Sequence, residues 1–250
     1  NYRDISQKGT EVRTGTQYTP DGSPNLSDLT FLPKAGFTGS VQIGYEGTDS
    51  RGKTFRGQIR IQVNQGSGSR YFQDMGSYAW AAPYVDLLYE AGVITGTGGQ
   101  RYRPADAVSR GDFMLMLYRA FQLPPASGAG FPDVPPGSYY AQAIQAARAA
   151  GIASGYPEGG FHPQEPVTRQ DAMVLLERTM QATGWSLGAA NTGYLSGFRD
   201  GGMVAPYAQE AMSHMIEYGI ITGTPEQKLN PIQSISRAEM AVMLARAITF

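Results

Sequence analysis

The chain has 250 residues, a net charge of −1, 41% hydrophobic residues and 16% charged ones, values that indicate a folded protein and exclude a disordered one. It contains no cysteine, which excludes disulfides and thiolate metal sites, and no basic stripe that would bind nucleic acid. No window approaches the roughly 18 consecutive apolar residues of a membrane-spanning helix, so we predict no insertion into a membrane.

The first 65 residues form a predicted β-rich segment. The chain begins at Asn1 without an initiator Met or a signal-peptide pattern, and we interpret it as a piece of a larger protein. Residues 1–25 are polar and rich in turns. Two alternating apolar runs then predict strands joined by a hairpin turn at residues 49–53, after a shorter strand at Thr30 and Phe31. The alternating residues are Val41, Ile43, Tyr45, Phe55, Ile59, Ile61 and Val63.

Residues 37–39 and 48–52 give this segment its likeness to known proteins. They resemble the C-terminal part of the Ig-like or cadherin-like repeats of bacterial surface proteins, over about 40 residues, which is fewer than a whole sandwich needs. Asp21, Asp28 and Asp49 are either turn-forming residues or calcium ligands. Their spacing fits no calcium loop, and Asp favours turns, so we interpret them as turn residues.

From residue 70 onward the sequence contains three copies of one pattern. The copies open with Phe72-Gln73-Asp74, Phe131-Pro132-Asp133 and Phe198-Arg199-Asp200. An aromatic residue follows each opening: Trp80, Tyr139 or Tyr207. A predicted helix comes next, with the apolar anchors Val85 and Leu88, Ile144 and Ala147, Met212 and Met215. It ends at a glycine, the residue that most readily adopts the left-handed conformation: Gly92, Gly151 or Gly219.

A second predicted helix begins in each copy with Ser or Thr, and an Asp or Glu follows three residues later. This pattern is a capping box, in which hydroxyl and acid each pair with a backbone N–H of the first turn. The boxes are Ser109-Arg110-Gly111-Asp112, Thr168-Arg169-Gln170-Asp171 and Ser236-Arg237-Ala238-Glu239. Capping does not explain the arginine, whose charge opposes the positive end of the helix dipole. Each arginine is therefore predicted to hold something.

Each copy is a helix–loop–helix unit, and such units cannot bury their apolar faces alone. We therefore predict a mainly α fold in which three units share one core, with a small β segment at the N-terminus. The boundaries we assign are residues 1–65 for the β segment, 66–69 for a flexible linker, and 70–125, 126–192 and 193–250 for the three repeats.

The ordered set of Phe-x-Asp, aromatic, Gly-Ile turn, the loop at residues 155–163 and the Ser/Thr-Arg box resembles the S-layer homology (SLH) domain. The resemblance covers residues 70–250 and implies a three-pronged spindle with pseudo-threefold symmetry. It further implies that grooves between units bind the secondary cell-wall polymer of a Gram-positive envelope, notably a terminal pyruvylated N-acetylmannosamine. The implied role is the non-covalent anchoring of a surface protein in an extracellular cell wall or S-layer, without a cofactor or a metal.

The arginines suit that ligand, because a planar guanidinium matches a carboxylate through two parallel hydrogen bonds. We expect the N–H groups at the helix N-terminus to share the anion. The ligand contacts that we assign are Arg110, Arg169, Arg237, Asp74, Asp133, Asp200, Trp80, Tyr139, Tyr207, Tyr156, Ser109, Thr168 and Ser236. Helix capping is the open alternative for the three Phe-x-Asp aspartates, and core packing is the alternative for Trp80 and its two counterparts.

The three copies are not equivalent, since only the second has a tyrosine directly after the glycine that opens its loop, at Tyr156. We therefore expect all three arginine sites to form but to bind with unequal strength. A second arginine lies near the end of each second helix, where a cation is favourable, and we assign these a structural role. They are Arg119, Arg178 and Arg246. The Phe of each Phe-x-Asp is assigned to the core.

No motif of an enzyme is present in the sequence. His162 and His214 stand far apart, outside any metal-ligand spacing, and we interpret them as structural. We therefore predict a binding module rather than an enzyme, with cell-wall polysaccharide as the partner. Two alternatives stay open: a structural S-layer subunit fragment that self-associates, and part of a glycan-processing enzyme, since any two acids can meet in space.

Overall fold

The computed structural model describes residues 2–7, 10–11, 29–33, 39–48, 51–63, 68–128 and 130–249. The chain divides into two compact units, residues 1–67 and 68–250. Several sequence predictions fall outside the described residues. These are the three candidate calcium ligands Asp21, Asp28 and Asp49, the residues Phe37 and Thr38 of the Ig-like resemblance, and residues 66–67 of the linker.

The first unit contains two small antiparallel sheets. One has the order β2-β1-β3, from β1 (Tyr2–Gln7), β2 (Thr10–Glu11) and β3 (Leu29–Pro33). The other is the hairpin of β4 (Gly39–Thr48) and β5 (Thr54–Val63). This hairpin confirms the predicted pair of strands, and β3 confirms the predicted shorter strand. The sequence did not predict β1, because most of its residues are polar and its partner β3 lies more than 20 positions away, nor β2, which has two residues and pairs with β1.

The second unit is helical, which confirms the predicted mainly α class with a small N-terminal β part. Its described residues form the α-helices α1 (Ala82–Glu90), α2 (Arg110–Ala120), α3 (Ala141–Ala149), α4 (Arg169–Ala182), α5 (Gln209–Glu217) and α6 (Arg237–Ile248). Each repeat contributes one odd-numbered helix and the even-numbered helix that follows it. Short 3-10 turns precede α1 and α5.

The odd-numbered helices bury the predicted apolar anchors. Val85 and Leu88 of α1 have no exposed surface, and the equivalent anchors in α3 and α5 are at most 1% exposed. Each of these helices ends before the predicted glycine, which has a φ of +70° at Gly92, +71° at Gly151 and +63° at Gly219. A side chain at these positions would be strained, so the glycines fix where the helices stop.

The even-numbered helices begin at the predicted arginines, each behind its Ser or Thr cap. In all three, the cap hydroxyl accepts the N–H of the third helical residue. The reciprocal bond, from the acid to the N–H of the cap, is formed only by Glu239 on Ser236. The capping-box prediction is therefore only half right for Asp112 and Asp171, whose shorter side chains bond the cap hydroxyl instead.

The three repeats close into a ring. Helix α2 packs against α3, α4 against α5, and α6 against α1, so the last repeat contacts the first. At the centre, the N–H of Val108 donates to the carbonyl of Ile235 at 3.0 Å, that of Val167 to Val108 at 2.9 Å, and that of Ile235 to Val167 at 3.1 Å. All three side chains are completely buried. This cyclic set agrees with the threefold arrangement that the resemblance implies.

Candidate functional site

The three box arginines join neighbouring repeats around the ring. The Nε atom of each donates to a loop carbonyl of the next repeat: Arg110 to Phe161 at 3.0 Å, Arg169 to Leu229 at 2.8 Å, and Arg237 to Tyr102 at 2.8 Å. The sequence predicted a partner for each arginine, and the first such partner is a backbone carbonyl of the neighbouring repeat. Any ligand must use the nitrogen atoms that these bonds leave over.

The first-turn N–H groups of the even-numbered helices are also occupied. In α2 the N–H of Arg110 donates to the carbonyl of Glu165, that of Gly111 to Pro163, and that of Asp112 to the hydroxyl of Ser109. Helices α4 and α6 repeat this arrangement with loop carbonyls of the third and first repeats. The expectation that helix N-terminal amides share a bound anion is therefore wrong, because neighbouring loops already satisfy them.

Arg110 lies in what we call groove A, defined by Arg110, Tyr156, Asp171 and Tyr207. Its guanidinium carbon is 4.8 Å from the centre of the Tyr156 ring and 5.0 Å from that of Phe161, which is favourable cation–π geometry. Neither Nη atom meets an acceptor in residues 68–128 or 130–249. In the described chain the one fully buried side-chain polar atom without a partner is His214 Nε2. The Nη atoms of Arg110 therefore keep contact with solvent.

Tyr207 lies beside Asp171 in groove A, near enough to Tyr156 for the two residues to interact electrostatically. Its ring is 60% exposed, so the core-packing alternative is wrong for this residue. The hydroxyl donates to Asp171 Oδ1 at 2.8 Å and accepts a bond from the Gln170 amide at 3.0 Å. Burial of the hydroxyl and its bond to the Asp171 carboxylate raise the pKa of Tyr207 to about 12. Two neighbours thus hold a flat aromatic face at a fixed angle beside the arginine.

Groove B, defined by Arg237, Asp112 and Tyr139, repeats this pattern. Tyr139 is 68% exposed and donates to Asp112 Oδ1 at 2.7 Å; burial of its hydroxyl and this bond raise the pKa of Tyr139 to about 12. Arg237 stacks on Tyr102 at 4.5 Å, and its Nη2 donates to the carbonyl of Thr95 at 3.1 Å. Groove B has a threonine, Thr97, at the sequence position of Tyr156, and one Nη atom of its arginine is already hydrogen-bonded.

Groove C, defined by Arg169, Glu239 and Trp80, differs in its electrostatics. Arg169 Nη2 forms an ion pair with Glu239 Oε1 at 2.9 Å, and Nη1 lies 3.8 Å from the sulfur of Met243. Trp80 stands at the sequence position of Tyr139 and Tyr207, which assigns it to this groove, and it is 42% exposed. Every guanidinium nitrogen of groove C therefore has a partner inside the protein.

The Phe-x-Asp aspartates have a role that the sequence did not predict. Each accepts two successive backbone N–H groups of the loop in its own repeat: Asp74 from Tyr102 and Arg103, Asp133 from Phe161 and His162, and Asp200 from Leu229 and Asn230. The capping alternative is therefore wrong. The second residue of each pair has a positive φ, so these bonds hold the loop in a conformation that is otherwise unfavourable. Ligand contact by the aspartates stays a prediction.

The hydrogen bonds from the loop N–H groups also lower the pKa of the aspartates that accept them. Burial alone would raise the pKa of Asp74, but the N–H groups of Tyr102 and Arg103 leave it below its ordinary value. The pKa of Asp133 is lowered in the same way, against the effect of burial, by Phe161 and His162. Both aspartates are thus stabilised as carboxylates by the loops that they hold.

The remaining predicted residues have structural partners. The cap hydroxyls of Ser109, Thr168 and Ser236 are occupied at the helix starts, and their contact with a ligand stays a prediction. The second arginines, Arg119, Arg178 and Arg246, donate to the carbonyls of Val93, Ile152 and Ile220, just beyond the first helix of the same repeat, as their structural assignment predicts. The rings of Phe72 and Phe131 are buried and that of Phe198 partly so, as predicted.

Sequence reasoning missed the residues on which the arginines rest. These are Phe161, Tyr102 and Leu229, each two positions before the loop proline that recurs in every repeat. Their signal is an apolar residue at the same place in all three loops, between polar neighbours. It also missed Gln170, whose amide bonds both Tyr207 and the backbone of Ala205.

The two histidines lie in different surroundings. His162 stacks on Tyr156 at 4.5 Å, and its ring nitrogens lie 2.9 Å from Glu158 and 3.0 Å from Glu165. It thereby supports the tyrosine of groove A. His214 is buried on α5 and pairs with Glu177 of α4. Within the described residues, no three His, Asp or Glu side chains are grouped as a metal site, and no helix is long and apolar enough to cross a bilayer.

The fold defines a helical module of three repeats, with an arginine at each junction between neighbouring repeats. The S-layer homology domain model matches residues 71–114, 130–173 and 197–241, which together make up more than half of the chain. The chain therefore belongs to the S-layer homology family, with three tandem repeats. The match does not extend to residues 1–67, where the Ig-like resemblance stays a prediction.

Individual relatives include enzymes and surface-layer proteins. The chain is 28% identical to an endoglucanase of Bacillus sp. (strain KSM-635), over 70% of this chain and 18% of the relative. It is 29% identical to the surface-layer 125 kDa protein of Lysinibacillus sphaericus, over 71% of this chain and 14% of the relative. It is 25% identical to an S-layer protein of Bacillus thuringiensis subsp. finitimus, over 72% and 21%. The chain thus spans less than a quarter of each, and family and relatives together indicate a cell-wall or S-layer location.

Proposed function

We propose that the chain anchors a surface protein non-covalently to the secondary cell-wall polymer of a Gram-positive-type envelope. The ligand is the terminal pyruvylated N-acetylmannosamine of that polymer. The observation that carries the proposal is groove A, where Arg110 lies over two aromatic rings with both Nη atoms open to solvent and where the ring of Tyr207 is exposed. Family membership and the S-layer relatives support the general role.

The chemistry of groove A matches a sugar that carries one carboxylate. The pyruvyl carboxylate pairs with the two Nη atoms of Arg110, whose orientation is fixed by the Phe161 carbonyl and by the rings on either side. Tyr207 offers a flat face to the pyranose ring, and Asp171 prevents that face from turning. Because Arg110 is only 8% exposed, its charge is poorly screened by solvent, which strengthens its pairing with an anion.

A second candidate function is that of a structural S-layer subunit that also self-associates, favoured by the relatives that are themselves S-layer proteins. In both cases the repeats act as a non-catalytic module. A glycan-processing activity is the less favoured alternative, since the match to the endoglucanase covers only 18% of that protein.

The proposal is tested by calorimetric titration with two synthetic probes, the methyl glycosides of N-acetylmannosamine with and without the pyruvyl ketal. Binding is expected for the pyruvylated probe alone. Arg110→Ala should weaken it about tenfold to hundredfold, because a hydrogen bond to a charged group contributes about 1.5–3 kcal/mol. The matched control is Arg199→Ala, which removes the same charge from an exposed side chain outside the grooves. Thermal unfolding of each variant separates lost binding from lost folding.

Sedimentation with purified cell-wall sacculi tests the role in the cell wall. The chain should sediment with intact sacculi and remain in solution once the polymer has been removed chemically. Retained sedimentation after removal would argue for self-association or another wall component, and release of reducing sugar in the same tubes would favour the enzyme.

A further inference from the structure

The three grooves differ in how much of each arginine the protein itself uses, and this difference carries an inference that rests on the proposed function. In Arg110 both Nη atoms are open to solvent, and the protein uses Nε alone. In Arg237 the protein uses Nε and one Nη atom, which donates to Thr95. In Arg169 all three guanidinium nitrogens have partners within the protein. We propose that groove C is closed by its own carboxylate, Glu239, so that the chain takes an anionic sugar in grooves A and B but not in groove C.

The geometry of the ion pair resembles that of the expected ligand. Glu239 Oε1 lies 2.9 Å from Arg169 Nη2, where the oxygen of a bound carboxylate would lie. The arginine side chain is 13% exposed and the glutamate 36%, so the pair is shielded from water more than a surface salt bridge. An external carboxylate would have to displace Glu239 and then remain beside its negative charge.

The sequence of groove C explains why the carboxylate turns toward the arginine. In grooves A and B the acid is an aspartate, and its Oδ1 accepts the hydroxyl of Tyr207 or Tyr139. In groove C the acid is one methylene longer, and the aromatic position is Trp80, which has no hydroxyl. Oε2 of Glu239 stays on the helix cap at Ser236, while Oε1 is left to reach Arg169.

Two residues thus determine the state of the groove: the length of the acid and the hydroxyl of the aromatic. Exchanging both to the types found in grooves A and B, with Glu239→Asp and Trp80→Tyr together, should give the shortened acid a tyrosine hydroxyl to hold and release Arg169. Glu239→Gln should release the arginine by removing the charge alone, while the side chain remains long enough to cap α6.

The experiment is calorimetric titration of the whole chain with the pyruvylated methyl glycoside, comparing ligand bound per chain. The wild type should bind in grooves A and B only. Glu239→Gln and the Glu239→Asp, Trp80→Tyr double variant should each bind one further ligand, and adding Arg169→Ala to Glu239→Gln should remove that gain. Glu210→Gln, which neutralises an exposed acid on α5, is the charge-matched control and should gain nothing.

The outcomes separate the inference from the proposed function. If the wild type fills groove C, or neither Glu239 variant gains a ligand while the wild type binds, the closure of groove C is wrong and the proposed function stands. If neither the wild type nor Glu239→Gln binds the probe, the proposed function is wrong and the inference fails with it. Two alterations at groove C keep the test decisive when one variant folds poorly.

Discussion

Arg237 in the last repeat donates its Nε hydrogen to the carbonyl of Tyr102 in the first repeat, at 2.8 Å across 135 positions of sequence. The guanidinium carbon of Arg237 lies 4.5 Å from the centre of the aromatic ring of Tyr102. The Tyr102 hydroxyl in turn donates to the backbone carbonyl of Arg237 at 2.9 Å. These three contacts join the last repeat to the first, together with the packing of α6 against α1. The arginine that we propose as a ligand contact in groove B therefore also helps to close the ring of repeats.

Ring closure predicts that the repeats fold together. Removing residues 193–250 deletes α6 and the Ile235 backbone that accepts the N–H of Val108, and it exposes the apolar face of α1. We expect the shortened chain to lose cooperative thermal unfolding in its two remaining repeats, measured by circular dichroism.

The matched control for that truncation is removal of residues 1–67, which belong to a separate compact unit. It should leave the melting temperature of the helical unit unchanged. Cooperative unfolding in the chain without residues 193–250 would mean that two repeats suffice for a core.

The close packing around Gly155 predicts that a larger residue at this position destabilises the fold. A Cβ on Gly155 would lie 2.6 Å from Cε1 of Phe131 and 2.8 Å from the carbonyl oxygen of Gly160, at a φ of +76°. Because both neighbours are fixed, Gly155→Ala should lower the free energy of unfolding by about 1–3 kcal/mol. Gly137→Ala, where a Cβ meets nothing within 4 Å and φ is not positive, is the control and should be nearly neutral. Chemical denaturation of both variants provides the comparison.

The raised pKa of Tyr207 predicts that the stability of the fold decreases at alkaline pH. Its pKa is raised from 10.0 to about 12, so the folded state holds the phenolic proton more tightly than the unfolded chain does. The bond to Asp171 therefore stabilises the fold fully below pH 10 and is lost as the pH rises through about 12. Because the pKa of Tyr139 is also raised to about 12, ultraviolet titration should detect two tyrosinate signals near that pH, of which Tyr207→Phe removes one.

Asp171→Asn provides the control for this titration. It keeps the length of the side chain but removes the carboxylate charge, so the Tyr207 signal should move down toward pH 10. An unchanged titration in Asp171→Asn would contradict the role of the carboxylate in holding the ring of groove A.

The lowered pKa of Asp74 predicts that the stability of the fold decreases at acid pH. Its folded pKa lies below the ordinary value of 3.8, so its stabilising effect is present above that value and is lost as the pH falls through the folded pKa. Asp74→Asn should lower the free energy of unfolding by about 1 kcal/mol at pH 7 by weakening two backbone bonds, and the difference from the wild type should shrink in acid.

Asp106→Asn is the appropriate comparison, because the side chain of Asp106 forms an exposed ion pair with Arg103 across one turn. Its effect should stay within about 0.5 kcal/mol at pH 7. Thermal unfolding at pH 7 and in acid provides the comparison. If Asp74→Asn and Asp106→Asn lowered stability equally under both conditions, the two backbone bonds of Asp74 would stabilise the fold no more than a surface ion pair does.

Much of the helical unit could be predicted from local rules. The Ser and Thr caps, the terminating glycines and the apolar anchors lie within a few residues of the structure that they specify, and each was found where the pattern places it. The strand β1 escaped this reasoning because a largely polar strand is specified by its distant partner, here β3, rather than by its own alternation.

The candidate site was only partly predictable for the same reason. The positions of Arg110, Arg169 and Arg237 follow from their register in the repeat, but their partners do not. The expectation of free amides at the helix N-terminus failed because loop carbonyls of the adjacent repeat fill that space, a contact that no single repeat reveals.

What the sequence by itself determined is the repeat: which residues start and stop each helix, which side faces the core, and where an arginine recurs. Those features depend on backbone conformation and on burial within one unit, and both are encoded over short spans. Only the tertiary structure decided what each arginine holds, because its partners lie 51, 60 and 135 positions away and reach it through packing around the ring. One methylene in Glu239 and one missing hydroxyl at Trp80 then make groove C differ from the two others that the same motif builds.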